Sequence, residues 1–261
     1  MAAIHRAPAQ AAWEKICHHI DGLAIGSTVA TLEKTGVLAK LAAATAPLPL
    51  DALATAHGLM RGYVHLAARL LTLQGWVERG GDIPRGNTHI LPTASGRAWL
   101  GECAAYRTVP AWLAFAQSIA PALAGKAPLA PMPALPEQNS ATRVPLQLRG
   151  AALAAFMATG TRMGLFTPFG PKPGRRLALA DLSAPPEILA RLFDLLCLEG
   201  WVERSAEDVA FTEEGIAAMA MAPQYFHSAS YLATLAAVPE LMQGGMATEL
   251  GRDHTNIETH V

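Results

Sequence analysis

The chain carries one segment twice. Leu70–Arg79 reads LLTLQGWVER and Leu195–Arg204 reads LLCLEGWVER, with eight of the ten residues identical. A duplicated segment constrains the fold strongly, because both copies must satisfy the same local geometry. Upstream of the shared glycine, Val64, Ala67, Ala68 and Leu71 fall at i, i+3, i+4 and i+7; Leu189, Leu192, Phe193 and Leu196 do the same in the second copy. That spacing predicts an amphipathic helix with one buried stripe, in the same register each time. Gly75 and Gly200 follow, where a residue in the left-handed region closes a helix. Trp76-Val77 and Trp201-Val202 then open a strand.

The likeness extends to both sides. A shorter helix is expected before each long one, in LDALATAHGLMRG with Leu50 and Leu53, and in LALADLSAPPE with Leu179 and Leu182. Pro185 and Pro186 suit a first helical turn, with Ser183 or a neighbour as its cap. After a polar stretch, HILPT and VAFT read as returning strands. Each copy closes on Thr-x-x-Gly, at Thr93 to Gly96 and Thr212 to Gly215, where threonine caps the next helix. Two helices joined by a tight turn and followed by a β-hairpin make a winged helix. The expected fold is mainly α: two tandem winged-helix (helix-turn-helix plus β-hairpin) units with flanking helices.

The flanks complete the plan. A leading helix is expected over roughly 11–43, broken near Gly36, and another over roughly 148–166. Between the units, AGKAPLAPMPALPEQNSATRVP reads as a linker, rich in proline and polar residues. The domains are therefore 1–123, the first unit with its N-terminal and trailing helices; 124–146, the Pro-rich linker; 147–222, the second unit; and 223–261, connector helices. A chain of 261 residues, half of them hydrophobic, has room for two domains.

Charge limits the partners. The net charge is −1, so there is no basic excess to neutralise phosphates. The helices that would enter a DNA groove offer Arg61, His65 and Arg69 in one copy but Glu187, Arg191 and Asp194 in the other. The hairpins add Glu78, Arg79, Asp82 and Arg85 in the first, and Glu203, Glu207 and Asp208 in the second. This distribution argues against nucleic acid as the partner. Cys17, Cys103 and Cys197 are odd in number and far apart, which fits buried thiols in a reduced, cytoplasmic setting. The first twenty residues lack the pattern of a signal peptide. Thr108 to Gly125 is uncharged but contains Pro110, Gln117, Ser118 and Pro121, so it reads as a buried or interface helix and not a membrane span.

The order LxxLA, LLxLxGWVE, hairpin, TxxG and helical connector resembles the N-terminal winged-helix dimerisation region of S-adenosylmethionine-dependent O-methyltransferases, here duplicated. The matching residues are LDALA at 50–54, ARLLTLQGWVE at 68–78 and LPTASG at 91–96, then LARLFDLLCLEGWVE at 189–203 and FTEEG at 211–215. SYLATLAAVPELMQGG from Ser230 resembles the helix that joins that region to the catalytic domain, and GRDHTNIETHV resembles the lead-in to the catalytic core. The resemblance implies a homodimer and an acceptor that is a small molecule or a carrier-bound intermediate. It also implies acceptor-side contacts from the connector, for which Tyr225, His227 and Tyr231 are the candidates.

One part of the family's pattern is missing. Its cofactor site is a Gly-rich turn after the first strand of a Rossmann-like sheet, and no GxGxG follows a strand here. Gly244-Gly245 ends a helix, and Gly160 and Gly164 suit close helix packing. The expectation is that the catalytic domain lies outside this chain, which alone is inactive and binds no cofactor, S-adenosylmethionine belonging to the full-length protein. The alternative is a stand-alone winged-helix interaction module or transcriptional regulator. No catalytic or metal residue is assigned. His254 and Glu258 stand at i, i+4 with Asp253 and His260 near, but they read as a polar connector. Adjacent His18 and His19 point about 100° apart on a helix and so suit a surface or interface, not one ion. The methionines of the second half, Met157 to Met246, read as core filling.

Overall fold

The computed structural model describes residues 7–81, 88–134 and 144–245. The linker's centre, the tip of the first hairpin and the 253–260 polar cluster with the lead-in around it lie outside the described residues. The chain is mainly helical, with two small antiparallel sheets. It divides into two compact units. The first-copy unit holds described residues 24–81, 88–109, 144 and 233–245; the second-copy unit holds 7–23, 110–134 and 145–232.

The opening helix α1 (Pro8–Lys34) contributes to both, changing unit after Leu23. In the first-copy unit Gly36 breaks the leading helix as expected, with φ +83°, before α2 (Val37–Ala42). There follow β1 (Leu48–Pro49), α3 (Leu50–Ala56), α4 (Arg61–Leu73), β2 (Val77–Gly80), β3 (His89–Pro92) and α5 (Ala94–Leu100). The three strands lie in the order β1-β3-β2, with Val77 opposite Pro92 and Leu48 opposite Ile90. The stripe Val64, Ala67, Ala68 and Leu71 is buried.

The second-copy unit contains α6 (Val109–Leu123), α7 (Val144–Arg162), β4 (Arg176–Ala178), α8 (Pro186–Leu198), β5 (Val202–Arg204), β6 (Asp208–Phe211), α9 (Glu213–Ala220) and α10 (Gln224–Ser230). Its sheet has the matching order β4-β6-β5. Leu189, Leu192, Phe193 and Leu196 are buried, and the Phe193 ring lies edge-to-face with Phe156 and Phe211 and tilted against Phe169. The uncharged stretch becomes α6, whose Trp112, Phe115 and Ile119 are buried. Among the described residues, no helix is long and apolar enough to cross a membrane. The last described helix, α11 (Leu232–Met242), belongs mainly to the first-copy unit, where Met242 accepts a bond from the Met60 amide.

The sequence-based expectation needs correction at several points. The short first helix of copy two is a single 3-10 turn, Leu179–Asp181. Proline follows too soon for more, since Pro185-Pro186 forces the preceding backbone extended. The cap of α8 is Pro185, with no side-chain bond, and not Ser183. Each sheet has a third strand, β1 or β4, that pattern reading left out. Gly164 lies past the end of α7 at φ +69°, and Gly160 makes room for the Phe166 ring instead of a second helix. Only Cys103 of the three thiols is buried.

Candidate functional site

The repeated joint has one geometry in both copies. Gly75 and Gly200 adopt φ of +72° and +71°. The Trp76 amide donates to the Leu71 carbonyl and the Gly75 amide to Thr72; Trp201 and Gly200 donate likewise to Leu196 and Cys197. This is the Schellman arrangement, which satisfies the last carbonyls of a helix. The Thr-x-x-Gly phrase then locks onto it. The Thr93 hydroxyl donates to Gly75 O at 2.7 Å and accepts from the Gly96 amide, while its own amide donates to Trp76 O. Thr212, Gly200, Gly215 and Trp201 repeat every one of these bonds. The glycine is required because a Cβ at either Gly96 or Gly215 would stand 1.8 Å from the tryptophan carbonyl oxygen. Threonine thus does more than cap a helix: it ties α5 or α9 to the joint.

Copy two differs behind that joint. Glu199 occupies the helix C-cap, the negative end of the helix dipole, and is 2% exposed. Both burial and dipole disfavour a carboxylate there. Arg149 from α7, also buried, donates from Nε and Nη2 to Glu199 Oε1 at 2.6 Å. His19 from α1, fully buried, faces Oε2 with Nε2 at 3.4 Å. Burial alone would push the Glu199 carboxyl up; the His19 ring and then Arg149 outweigh it and hold the group at about 2. The other side of the His19 ring, Nδ1, lies 2.7 Å from the Tyr225 hydroxyl. Burial, with the Glu199 charge adding to it, holds the Tyr225 phenol well above the usual range, so its O–H stays on. Lys15 Nζ donates to the Glu199 backbone oxygen and pairs with Glu214 Oε1 at 2.7 Å. Trp201 Nε1 donates to the same Glu214 oxygen at 2.9 Å.

Two glycines bring these groups together. A Cβ at Gly22 would meet the Gln147 backbone at 2.2 Å, and one at Gly150 would meet His19 O at 2.2 Å. The backbones of α1 and α7 therefore touch, and His19 and Arg149 converge on one carboxylate. The expectation that His19 lies at a surface or interface is overturned: its ring is fully buried within this unit.

A histidine set between a hydroxyl and a carboxylate has the layout of a general base. A base acts on a substrate only where one end of the relay is open. Here Tyr225 and His19 are 0% exposed and Arg149 is 4% exposed, so the relay is closed to solvent. The arrangement holds α1, α7, α8, α9 and α10 in one register; it does not expose a reactive group.

The three acceptor-side candidates separate. Tyr225 spends its hydroxyl inside the network. His227 is exposed on α10, and its ring meets Tyr231 edge-to-face at 4.8 Å. A cleft of about 260 Å³ lies elsewhere in the same unit, between Pro128 and Leu129 and the α8 residues Glu187, Ile188 and Arg191. The Ala130 amide donates to Ser118 Oγ at 3.0 Å and anchors that proline-rich segment. Among the described residues no group of three His, Cys, Asp or Glu is placed to hold a metal ion.

Pattern reading missed Arg149 and Lys15 and misplaced His19, and the available signal was in the repeat itself. Of its two differences, one replaces Gln74 by Glu199. Comparison with known proteins yields a family model described as AprA N-terminal domain, which matches residues 13–79. That stretch ends on the last residue of the first decapeptide. No curated protein matches the chain.

Proposed function

We propose that each copy is a winged helix, and that the chain is the non-catalytic, substrate-side and dimerisation region of an S-adenosylmethionine-dependent methyltransferase. The acceptor is a small molecule or a carrier-bound intermediate. The observation that carries this reading is the network around Glu199: His19, Arg149, Glu199 and Tyr225 are sealed from solvent, while the Lys15–Glu214 pair beside them is partly exposed. Such a unit suits a scaffold, with the chemistry in a Rossmann-like domain outside the chain. A matched family described as an N-terminal domain fits a leading region. His227 and Tyr231 remain the acceptor-side contacts to test. A DNA-reading role is disfavoured because the outer side of α8 carries Glu187 and faces the chain's own Pro128 and Leu129.

Titration calorimetry tests the reading. Residues 1–261 should give no heat with S-adenosylmethionine, while a longer natural polypeptide with a strand and Gly-rich turn after residue 261 should bind it. Micromolar binding by 1–261 alone would overturn the proposal, and so would a natural chain that ends at Val261.

A further inference from the structure

The two sheets protect their edges differently. In the first-copy sheet the edge strand β1 (Leu48–Pro49) follows Pro47 and contains Pro49, neither of which can donate to a further strand. The second-copy edge strand β4, Arg176-Leu177-Ala178, has no proline. It pairs with β6 on one side only, Arg176 opposite Ala210 and Ala178 opposite Asp208. Arg176 would ordinarily guard such an edge. Its guanidinium is instead drawn back onto its own sheet, to Asp208 Oδ1 at 2.5 Å and Glu203 Oε2 at 3.5 Å.

Charge is polarised along this edge. Before β4, Lys172 and Arg175 are exposed, and neither is in an ion pair among the described residues. Pro171, Pro173 and the φ +78° turn at Gly174 stiffen their loop, and the Gly174 amide fixes it to Phe211 O. After β4, the Leu179 amide donates to Glu207 O, so the acidic hairpin tip, with exposed Glu207, stands at the strand's other end. One end is cationic and the other anionic.

We propose that two copies of this chain join antiparallel through β4, making one six-stranded sheet. Antiparallel two-fold pairing brings Lys172 and Arg175 of each copy against the Glu207 end of the other. An isologous interface requires this kind of self-complementarity, and a parallel arrangement would set like charges together. The inference rests on the dimer in the reading above and names the surface that forms it.

Charge exchange, followed by sedimentation velocity, tests it. K172E/R175E places acids against acids, and E207K places bases against bases. Each variant alone should dimerise at least about tenfold more weakly than wild type, while an equimolar mixture should form a 1:1 heterodimer of near wild-type affinity. Unchanged circular dichroism controls for folding. If wild type and both variants dimerise equally, β4 is not the interface and the dimer stands by another surface. If wild type is monomeric throughout, both the interface and the dimer reading fall.

Discussion

Gln74 and Glu199 stand at the same place in the two copies and meet opposite surroundings. Each is the helical residue before a left-handed glycine, with backbone angles of −78°, −6° and −83°, −10°. Gln74 is half-buried; Glu199 is sealed in with Arg149 and His19. The tryptophans differ in the same sense. Trp76 stacks on Trp99 at 4.1 Å. Copy two has Ala218 where Trp99 stands, three residues past the locking glycine, and Trp201 meets His19 edge-to-face at 5.7 Å instead. The difference teaches that a duplicated joint can be kept bond for bond while the space behind it is refilled, with an aromatic stack in one copy and a charged brace in the other.

Substitutions across the brace should separate the copies most. Arg149→Met leaves the Glu199 charge buried without its nearest cation and should cost about 3–5 kcal/mol in urea unfolding. Gln74→Glu places the copy-two carboxylate at the half-buried C-cap of copy one, and should cost no more than about 1 kcal/mol. The joint itself should respond alike in both units. Gly96→Ala and Gly215→Ala each drive a Cβ into a tryptophan carbonyl and should cost about 2–3 kcal/mol. Unequal losses, read from the melting of the two variants, would break the claim that the joints are equivalent.

Acid should act on the buried carboxylate of copy two. The folded Glu199 carboxyl is held at about 2 against an ordinary 4.5. Its contribution is therefore complete above about pH 4.5 and is lost as pH falls towards 2. Stability measured across that window should fall less steeply in Glu199→Gln/Arg149→Met than in wild type. The threonine caps should respond alike in the two copies. Thr93→Ala and Thr212→Ala should each cost about 1 kcal/mol, matched between copies.

Much of the repeat was legible because it is local. The stripes at Val64 and Leu189, the glycine stops and the returning strands are all set by spacing within a few turns. Threonine read as a cap was right but incomplete, since its bonds to Gly75 O and Gly200 O need the hairpin closed. The brace was not legible, because Lys15 meets Glu199 from 184 residues away along the chain, Arg149 meets it from 50, and His19 meets Tyr225 from 206. Nothing in HH or LRG marks a side chain as paired; the Gly22 and Gly150 approaches that bring them together belong to tertiary packing. The third strands escaped for a similar reason: two or three residues carry no periodicity of their own.

Glu199 and Arg149 act as one buried unit in the second copy. A double-mutant cycle with Glu199→Gln, Arg149→Met and the pair, followed by urea denaturation at neutral pH, tests it most directly. A coupling energy of about 2–3 kcal/mol, with the double variant more stable than Arg149→Met alone, is the expected result. Additive losses, with coupling below about 0.5 kcal/mol, would contradict it.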